Sequence, residues 1–400
     1  MNQPLKQHLI DPEICIRCYT CEMTCPIEGA IVHDANNVVI DADKCEFCMA
    51  CIPVCPTGSI DEWRIVNTPY SLDDQFGWAE LPEQEEILTG GGSDAATSLE
   101  ALDDAMAALL ADAHKGAGGK AKAPATASKP TINMYNLANP ITAKVQGSYR
   151  LTAEGADTDV RHIILDFGGK PFPVLEGQSI GIIPPGTGAD GKPHLPRLYS
   201  ISSPRDGERP NYGNVSLTVK RHEQGVCSNY VCDLKMGDEV QVTGPFGSTF
   251  LMPDDPQARL LMICTGTGSA PFRAFTMRRQ RTVGNKSGGM VMFFGARTPD
   301  SLPYFGPLGK IPDSLLKKHL VFSRIPGVPK SYVQDQLIVE EEAIADMLTD
   351  PNTYIYICGL RGMEEGVEKA FTNIAESIGT QWVALRDTMR SEGRYHVETY

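Results

Sequence analysis

The sequence predicts a multidomain chain: a small α+β module, a connector, an antiparallel β-barrel, and an α/β domain built on a parallel sheet. Three observations predict it. Eight cysteines crowd into residues 15–56 in two matching runs. Residues 67–130 then pass from acidic sequence to sequence rich in Ala, Gly, Lys and Pro. Beyond them, short strands separated by turn residues give way near residue 256 to strand–helix alternation. The domains are therefore expected at 1–66, 67–130, 131–255 and 256–400.

The first module is read from its cysteines. Residues 15–26 run C-I-R-C-Y-T-C-E-M-T-C-P and residues 45–56 run C-E-F-C-M-A-C-I-P-V-C-P. Each repeats the spacings x2, x2 and x3 and closes on a proline, Pro26 or Pro56. One such run reaches three corners of a cubane, and the fourth thiolate comes from the other run. The expected ligand sets are Cys15, Cys18, Cys21 and Cys55 for one [4Fe–4S] cluster, and Cys45, Cys48, Cys51 and Cys25 for the other. Structural zinc is the alternative, but it needs four ligands and has no use for two copies of the run. The module resembles bacterial two-cluster ferredoxins. Short strands are expected at 30–32 and 59–60, with Ile16, Tyr19, Phe47, Met49 and Ile52 drying the clusters.

Charge and composition bound the partners. The net charge is −14, and residues 1–130 carry nearly all of the excess. Nucleic acid is excluded as a partner on this balance. The acidic front end is either a solvated surface or a steering field for a basic docking partner. No apolar run has membrane-spanning length and residues 1–10 lack a signal-peptide layout, so a cytoplasmic protein off the membrane is expected. The residues fix no oligomeric state. Cys227, Cys232, Cys264 and Cys358 are scattered and read as small buried hydrophobes.

In the connector, residues 71–86 are acidic, with Phe76 and Trp78 as anchors, and Gly90–Gly92 make a hinge. A helix is expected from Ser93 or Asp94 to about His114, with Leu99, Leu102, Met106, Leu109 and Leu110 on one face. Residues 115–130 read as flexible linker. The barrel strands are expected at 141–145, 161–166, 179–183, 214–220 and 239–243. The parallel sheet takes 259–264, 289–294, 320–323 and 354–358.

Three stretches in the second half point to flavin and nicotinamide. Arg197-Leu198-Tyr199-Ser200 offers a cation for phosphate, a flat ring and a hydroxyl. Gly225-Val226-Cys227-Ser228-Asn229 is a glycine-led turn into a helix whose free N–H groups suit a pyrophosphate. Thr265-Gly266-Thr267-Gly268-Ser269-Ala270-Pro271-Phe272-Arg273 joins a strand to a helix, with glycines for close approach. It is not G-x-G-x-x-G.

Together with E-G-Q-S-I-G (176–181), V-K-R (219–221), Y-I-C-G-L-R-G-M (356–363) and V-E-T-Y (397–400), these stretches resemble the plant-type ferredoxin–NADP reductases over roughly residues 138–400. The resemblance implies FAD on the barrel and NADPH on the parallel sheet. It implies flavin contacts from Arg197, Leu198, Tyr199 and Ser200, and pyrophosphate contacts from Val226, Cys227 and Ser228. Lys220 and Thr265, Gly266, Thr267 and Gly268 would meet the nicotinamide dinucleotide. Ser323, Arg324, Lys330, Tyr332 and Gln334 would form the 2′-phosphate and adenine site. Ser200, Cys358 and Glu398 would flank hydride transfer, with Tyr400 on the flavin ring. Without the resemblance, Cys358 reads as core, and Glu398 and Tyr400 as a solvated end. Only His222, Glu223 and Gln224 separate Arg221 from Gly225, where plant members carry a longer hairpin. The adenosine end of FAD therefore needs another seat, and FMN stays an alternative.

The fused order, clusters then reductase, resembles the reductase components of benzoyl-CoA oxygenases (2,3-epoxidases). That resemblance implies electron flow from NADPH through FAD and two clusters to an oxygenase component. Flow from a low-potential donor into NADP, and a non-catalytic carrier, are the alternatives.

Overall fold

The computed structural model describes residues 5–60, 62–83, 85, 121–188, 191, 193–285 and 289–399. The glycine hinge, the connector helix expected to His114, and Tyr400 lie outside these residues. The chain divides into two compact units.

In the first unit, β1 (Leu5–Leu9) pairs antiparallel with β4 (Glu62–Val66), and β2 (Ile31–His33) with β3 (Val38–Ile40). A five-residue helix, Thr20–Thr24, carries Cys21 inward. Ile10, Ile31, Val38, Ile40 and Ile60 form the core with Cys21 and Cys51. Residues 59–60 make a turn rather than the expected strand. The Ser59 carbonyl accepts from the Asp11 N–H at 2.7 Å and the Ile60 carbonyl meets the His8 ring, so neither joins a ladder. The strand starts at Glu62 instead.

The acidic stretch after β4 folds back on β3 through the short helix Leu72–Phe76. Ser71 and Asp74 cap it reciprocally, which satisfies two orphan donors. Its anchor is the buried Gln75, whose amide donates to the Ile40 carbonyl at 2.9 Å and accepts from the Ile40 N–H at 3.3 Å. Phe76, one of the two expected anchors, is only partly buried. The other, Trp78, meets Tyr70 edge-on at 5.1 Å.

The second unit holds two sheets. β5 (Ile141–Arg150), β6 (Val160–Asp166), β7 (Ser179–Ile183), β8 (Arg197–Ser200), β9 (Val215–Lys220) and β10 (Glu239–Phe246) form an antiparallel sheet in the order β8-β7-β10-β5-β6-β9. A bridge from Ile201, just past β8, to Leu217 of β9 brings its outer strands together. The other sheet is parallel, ordered β13-β12-β11-β14-β15, from β11 (Arg259–Thr265), β12 (Met290–Ala296), β13 (Leu316–Phe322), β14 (Thr353–Gly359) and β15 (Tyr395–Thr399). Helices cover both faces, so β11 and β14 read as unbroken apolar runs. Ile355 and Ile357 pack with Phe371 and Trp382, while Tyr356 and Cys358 pack with Phe272 and Phe275 on the opposite face.

β13 begins four residues before its expected start, because Lys317 and Lys318 sit on a sheet edge where charged side chains are tolerated. Residues 121–130, inside the stretch expected as flexible linker, are fastened down. Ala123 lies so close to Gly393 that a Cβ on that glycine would meet its carbonyl oxygen at 2.2 Å. Ser128 accepts from Arg205 at 2.8 Å. Among the described residues, no helix is long and apolar enough to cross a membrane.

Candidate functional site

The cysteine runs fold into two similar curls. Arg17 and Tyr19 in the first, and Phe47 and Met49 in the second, all have φ between 53° and 62°. Left-handed backbone in non-glycine residues is costly and persists where surroundings demand it. Here it recurs at matching places between cysteines in both runs. The thiols sense one another across the runs. Burial raises Cys21 to about 11, with Cys15 and Cys55 adding to the rise. Burial likewise raises Cys45, with Cys25 and Cys48 contributing. Burial alone would raise Cys55, but hydrogen bonds with Ser59 and Thr57 bring it down to about 7. Cys25, Cys45, Cys48 and Cys51 line one cavity, walled by Ile31 and Phe47. Among the described residues, no three His, Cys, Asp or Glu groups converge as tightly as one metal ion requires. A cubane spreads its four thiolates over four irons, and the cavity and the cross-run neighbours fit that group.

The flavin-type residues meet at the edge of the antiparallel sheet. Arg197 is exposed and pairs in register with Ile182. The Cys227 thiol, in the first turn of the helix Val226–Asp233, donates to the Ile182 carbonyl at 3.6 Å. The guanidinium and the helix N-terminus therefore share one edge. No side chain caps that terminus, so the N–H groups of its first turn point outward with the positive end of the dipole. This donor set fits a dinucleotide pyrophosphate. Burial pushes the Tyr199 hydroxyl far up, and Cys227 beside it adds to the rise. Tyr199 thus stays a neutral, half-buried ring next to this edge.

The remaining expected residues gather along the carboxyl ends of the parallel strands, where open α/β sheets hold ligands. Thr265 ends β11, and a 3-10 turn, Gly266–Gly268, leads into the helix Ser269–Val283. Gly266 has φ +55°, and a Cβ on Gly268 would stand 2.1 Å from the Cys358 carbonyl oxygen. The turn is thus pressed against the end of β14. Lys220 ends β9, which packs on the same turn. Ser323 and Arg324 follow β13, held by backbone bonds to Ala296 and Arg297. Arg324 and Lys330 are exposed, and Tyr332 is 47 % exposed. Gln334 lies against Gly366 of the helix Arg361–Ser377.

Ser200, Cys358 and Glu398 come together from two sheets. The Ser200 hydroxyl donates to Glu398 Oε1 at 2.6 Å. Glu398 pairs in register with Cys358 across β14 and β15 and is only 5 % exposed. Burial, then the Glu398 charge, pushes the Cys358 thiol far up, so it stays protonated.

A buried network that the sequence did not reveal ties the same two sheets. Arg273, one turn into the helix after the glycine turn, donates to the Ser202 carbonyl at 2.7 Å and to both Glu208 oxygens at 2.7 and 2.8 Å. His162 Nε2 reaches Glu208 at 3.1 Å, and its Nδ1 bonds the Tyr304 hydroxyl at 2.8 Å. Burial alone would raise the Glu208 carboxyl, but His162 and Arg273 hold it far below the ordinary range. Arg273 closes a motif that sequence alone marks for phosphate, and no spacing rule couples it to Glu208.

Comparison with known proteins finds three domain families. Residues 14–59 match the 4Fe-4S dicluster domain family, 176–250 the oxidoreductase FAD-binding domain, and 262–369 the oxidoreductase NAD-binding domain. The chain is 42 % identical over 287 residues to the cyanelle ferredoxin–NADP reductase of Cyanophora paradoxa, covering 67 % of this chain and 79 % of the relative. It is 38 % identical over 359 residues to the ferredoxin–NADP reductase of Thermosynechococcus vestitus, covering 84 % and 90 %. Among solved structures, the ferredoxin–NADP+ reductase of Plasmodium falciparum with 2′P-AMP matches with a TM-score of 0.55 and 26 % identity, over 67 % of this chain and 99 % of that one. This chain belongs to the ferredoxin–NADP reductase family, as a flavoenzyme oxidoreductase that also carries a 4Fe-4S dicluster domain.

Proposed function

We propose that this protein is an NADPH-consuming reductase that passes electrons through FAD and two [4Fe–4S] clusters to a separate oxygenase component. The acceptor is the oxygenase that acts on benzoyl-CoA in aerobic aromatic degradation, an assignment that domain order supports. The observation that carries the proposal is the Ser200–Glu398 bond beside Cys358, in a chain whose front cysteines neighbour one another across two runs.

FAD, when bound, would supply two-electron exchange with NADPH and single-electron exchange with the clusters. Arg197 and the N-terminus of the helix Val226–Asp233 would hold its pyrophosphate, and Leu198, Tyr199 and Ser200 would line its ring. The Gly266–Gly268 turn and Lys220 take the dinucleotide phosphates. Arg324 and Lys330, with Ser323, Tyr332 and Gln334, recognise the 2′-phosphate and adenine, and the 2′P-AMP complex of the Plasmodium relative supports this. The Ser200 hydroxyl, backed by the Glu398 carboxylate, holds a proton beside the reacting edge, while the protonated Cys358 keeps that edge dry. Cys15, Cys18, Cys21 and Cys55 hold one cluster, and Cys45, Cys48, Cys51 and Cys25 the other. Committing these eight thiols to metal suits the cytoplasm.

Cys55→Ser tests the sharing of thiols between runs. It should lower iron and sulfide by about half while NADPH still reduces the flavin. Loss of all iron, or none, would refute the assignment. The relatives' names favour a second reading, with electrons running into NADP. Potentiometric titration separates the two: clusters well below the NADPH couple would support the second.

A further inference from the structure

The two cysteine runs match in spacing but not in what they show to solvent, and the difference points to the exit for electrons. Around the first run Ile14, Ile16 and Met23 are 47 %, 63 % and 76 % exposed, while Cys18 and its counterpart Cys48 are both exposed. The matching positions of the second run hold Lys44, Glu46 and Pro53. The large apolar side chain there, Phe47, is stacked on Trp63 with ring centres 5.8 Å apart. The first run thus leaves three large apolar side chains exposed among the described residues, while the second carries Lys44, Glu46 and Pro53 at the same positions. Residues 11–34 also carry five acids, Asp11, Glu13, Glu22, Glu28 and Asp34, against one arginine. That arginine, Arg17, is tied to the carbonyls of Ala35 and Asn36. An apolar centre within an acidic surround is the layout that a basic-rimmed partner complements.

We propose that the face formed by Ile14, Ile16 and Met23 is where a redox protein with a lysine- or arginine-rimmed prosthetic group docks, taking electrons from the set Cys15, Cys18, Cys21 and Cys55. This rests on the reductase reading above. It adds which of the two sets faces the acceptor and what the acceptor's surface carries. Apolar contact at the centre excludes water between the groups, and the acids steer the encounter.

The internal repeat supplies its own control, because Ile16 and Glu46 occupy the same place in the two runs. Cytochrome c, whose haem edge is ringed by lysines, serves as the probe. The clusters are reduced anaerobically with dithionite, and their reoxidation by cytochrome c is followed in the visible region. Ile16→Lys and Met23→Lys should each slow the second-order rate about tenfold at low salt, while Glu46→Lys stays within about twofold. Isothermal titration of the oxidised proteins reads the same surface without turnover, and Kd should rise about tenfold for the first two variants only. Unchanged iron and sulfide content establishes that these exposed substitutions leave the module intact. Wild-type behaviour of Ile16→Lys and Met23→Lys, or an equal loss in Glu46→Lys, would overturn the proposal. Dithionite makes the measurement independent of NADPH, so failure of NADPH to reduce the clusters would count against the reductase reading alone.

Discussion

Gly268→Ala isolates steric fit from backbone preference. Gly268 sits at φ −60° and ψ −10°, ordinary helical angles that alanine adopts freely. The added methyl would meet the Cys358 carbonyl oxygen at 2.1 Å and its carbon at 2.6 Å. Neither atom can swing away, because Cys358 is fully buried and its strand is paired to Cys264 on one side and Glu398 on the other. Reaching an ordinary contact requires the turn and the strand to part by more than about 1 Å, and overpacking of this kind costs about 1–3 kcal/mol. In a unit of this size each kcal/mol lowers Tm by about 2–4 °C. The same displacement moves the turn proposed for dinucleotide phosphate away from Ser200 and Glu398, and a 1 Å misplacement costs about a hundredfold in rate. Thermal melting of the FAD-loaded protein reads the first effect. Steady-state reduction of ferricyanide by NADPH reads the second, with KM raised and kcat lowered together. A variant with unchanged Tm and unchanged kinetic constants would refute the reasoning.

Arg324→Ala should raise KM for NADPH about tenfold or more while leaving KM for NADH nearly unchanged, since only NADPH carries the group that this guanidinium would bind. Equal effects on both would remove Arg324 from the 2′-phosphate role. Arg273→Leu strands the buried Glu208 carboxylate and should cost about 3–5 kcal/mol at neutral pH, measured by urea unfolding. Because the folded Glu208 carboxyl is held below its ordinary range, its stabilisation is complete above that range and is lost as pH falls through the folded value. The gap between wild type and variant should therefore shrink below about pH 4. A gap independent of pH would place the cost elsewhere.

The 4Fe-4S module and the glycine turn were legible because their chemistry constrains spacing along the chain. Four thiols about one cluster demand short intervals, and a phosphate turn demands small residues between strand and helix. The end of the chain was not legible by pattern. Y-H-V-E-T reads as polar and terminal, yet pairing with β14 buries all five residues and carries Glu398 to the hydroxyl of Ser200. Only the family resemblance placed that carboxylate, since a parallel pairing leaves no local trace. The Arg273–Glu208–His162 network had no signature at all: its members stand in separate strands, loops and helices and meet through tertiary packing. Lys317 and Lys318 hid the start of β13 because an edge strand tolerates charges that a central one would not.

The bond from Ser200 to Glu398 joins one sheet to the other, and those from Arg273 to Glu208 and Ser202 tie the helix after β11 to the loop after β8. Neither sheet could be traded for a foreign counterpart without severing them, so the pair is inherited as a single block.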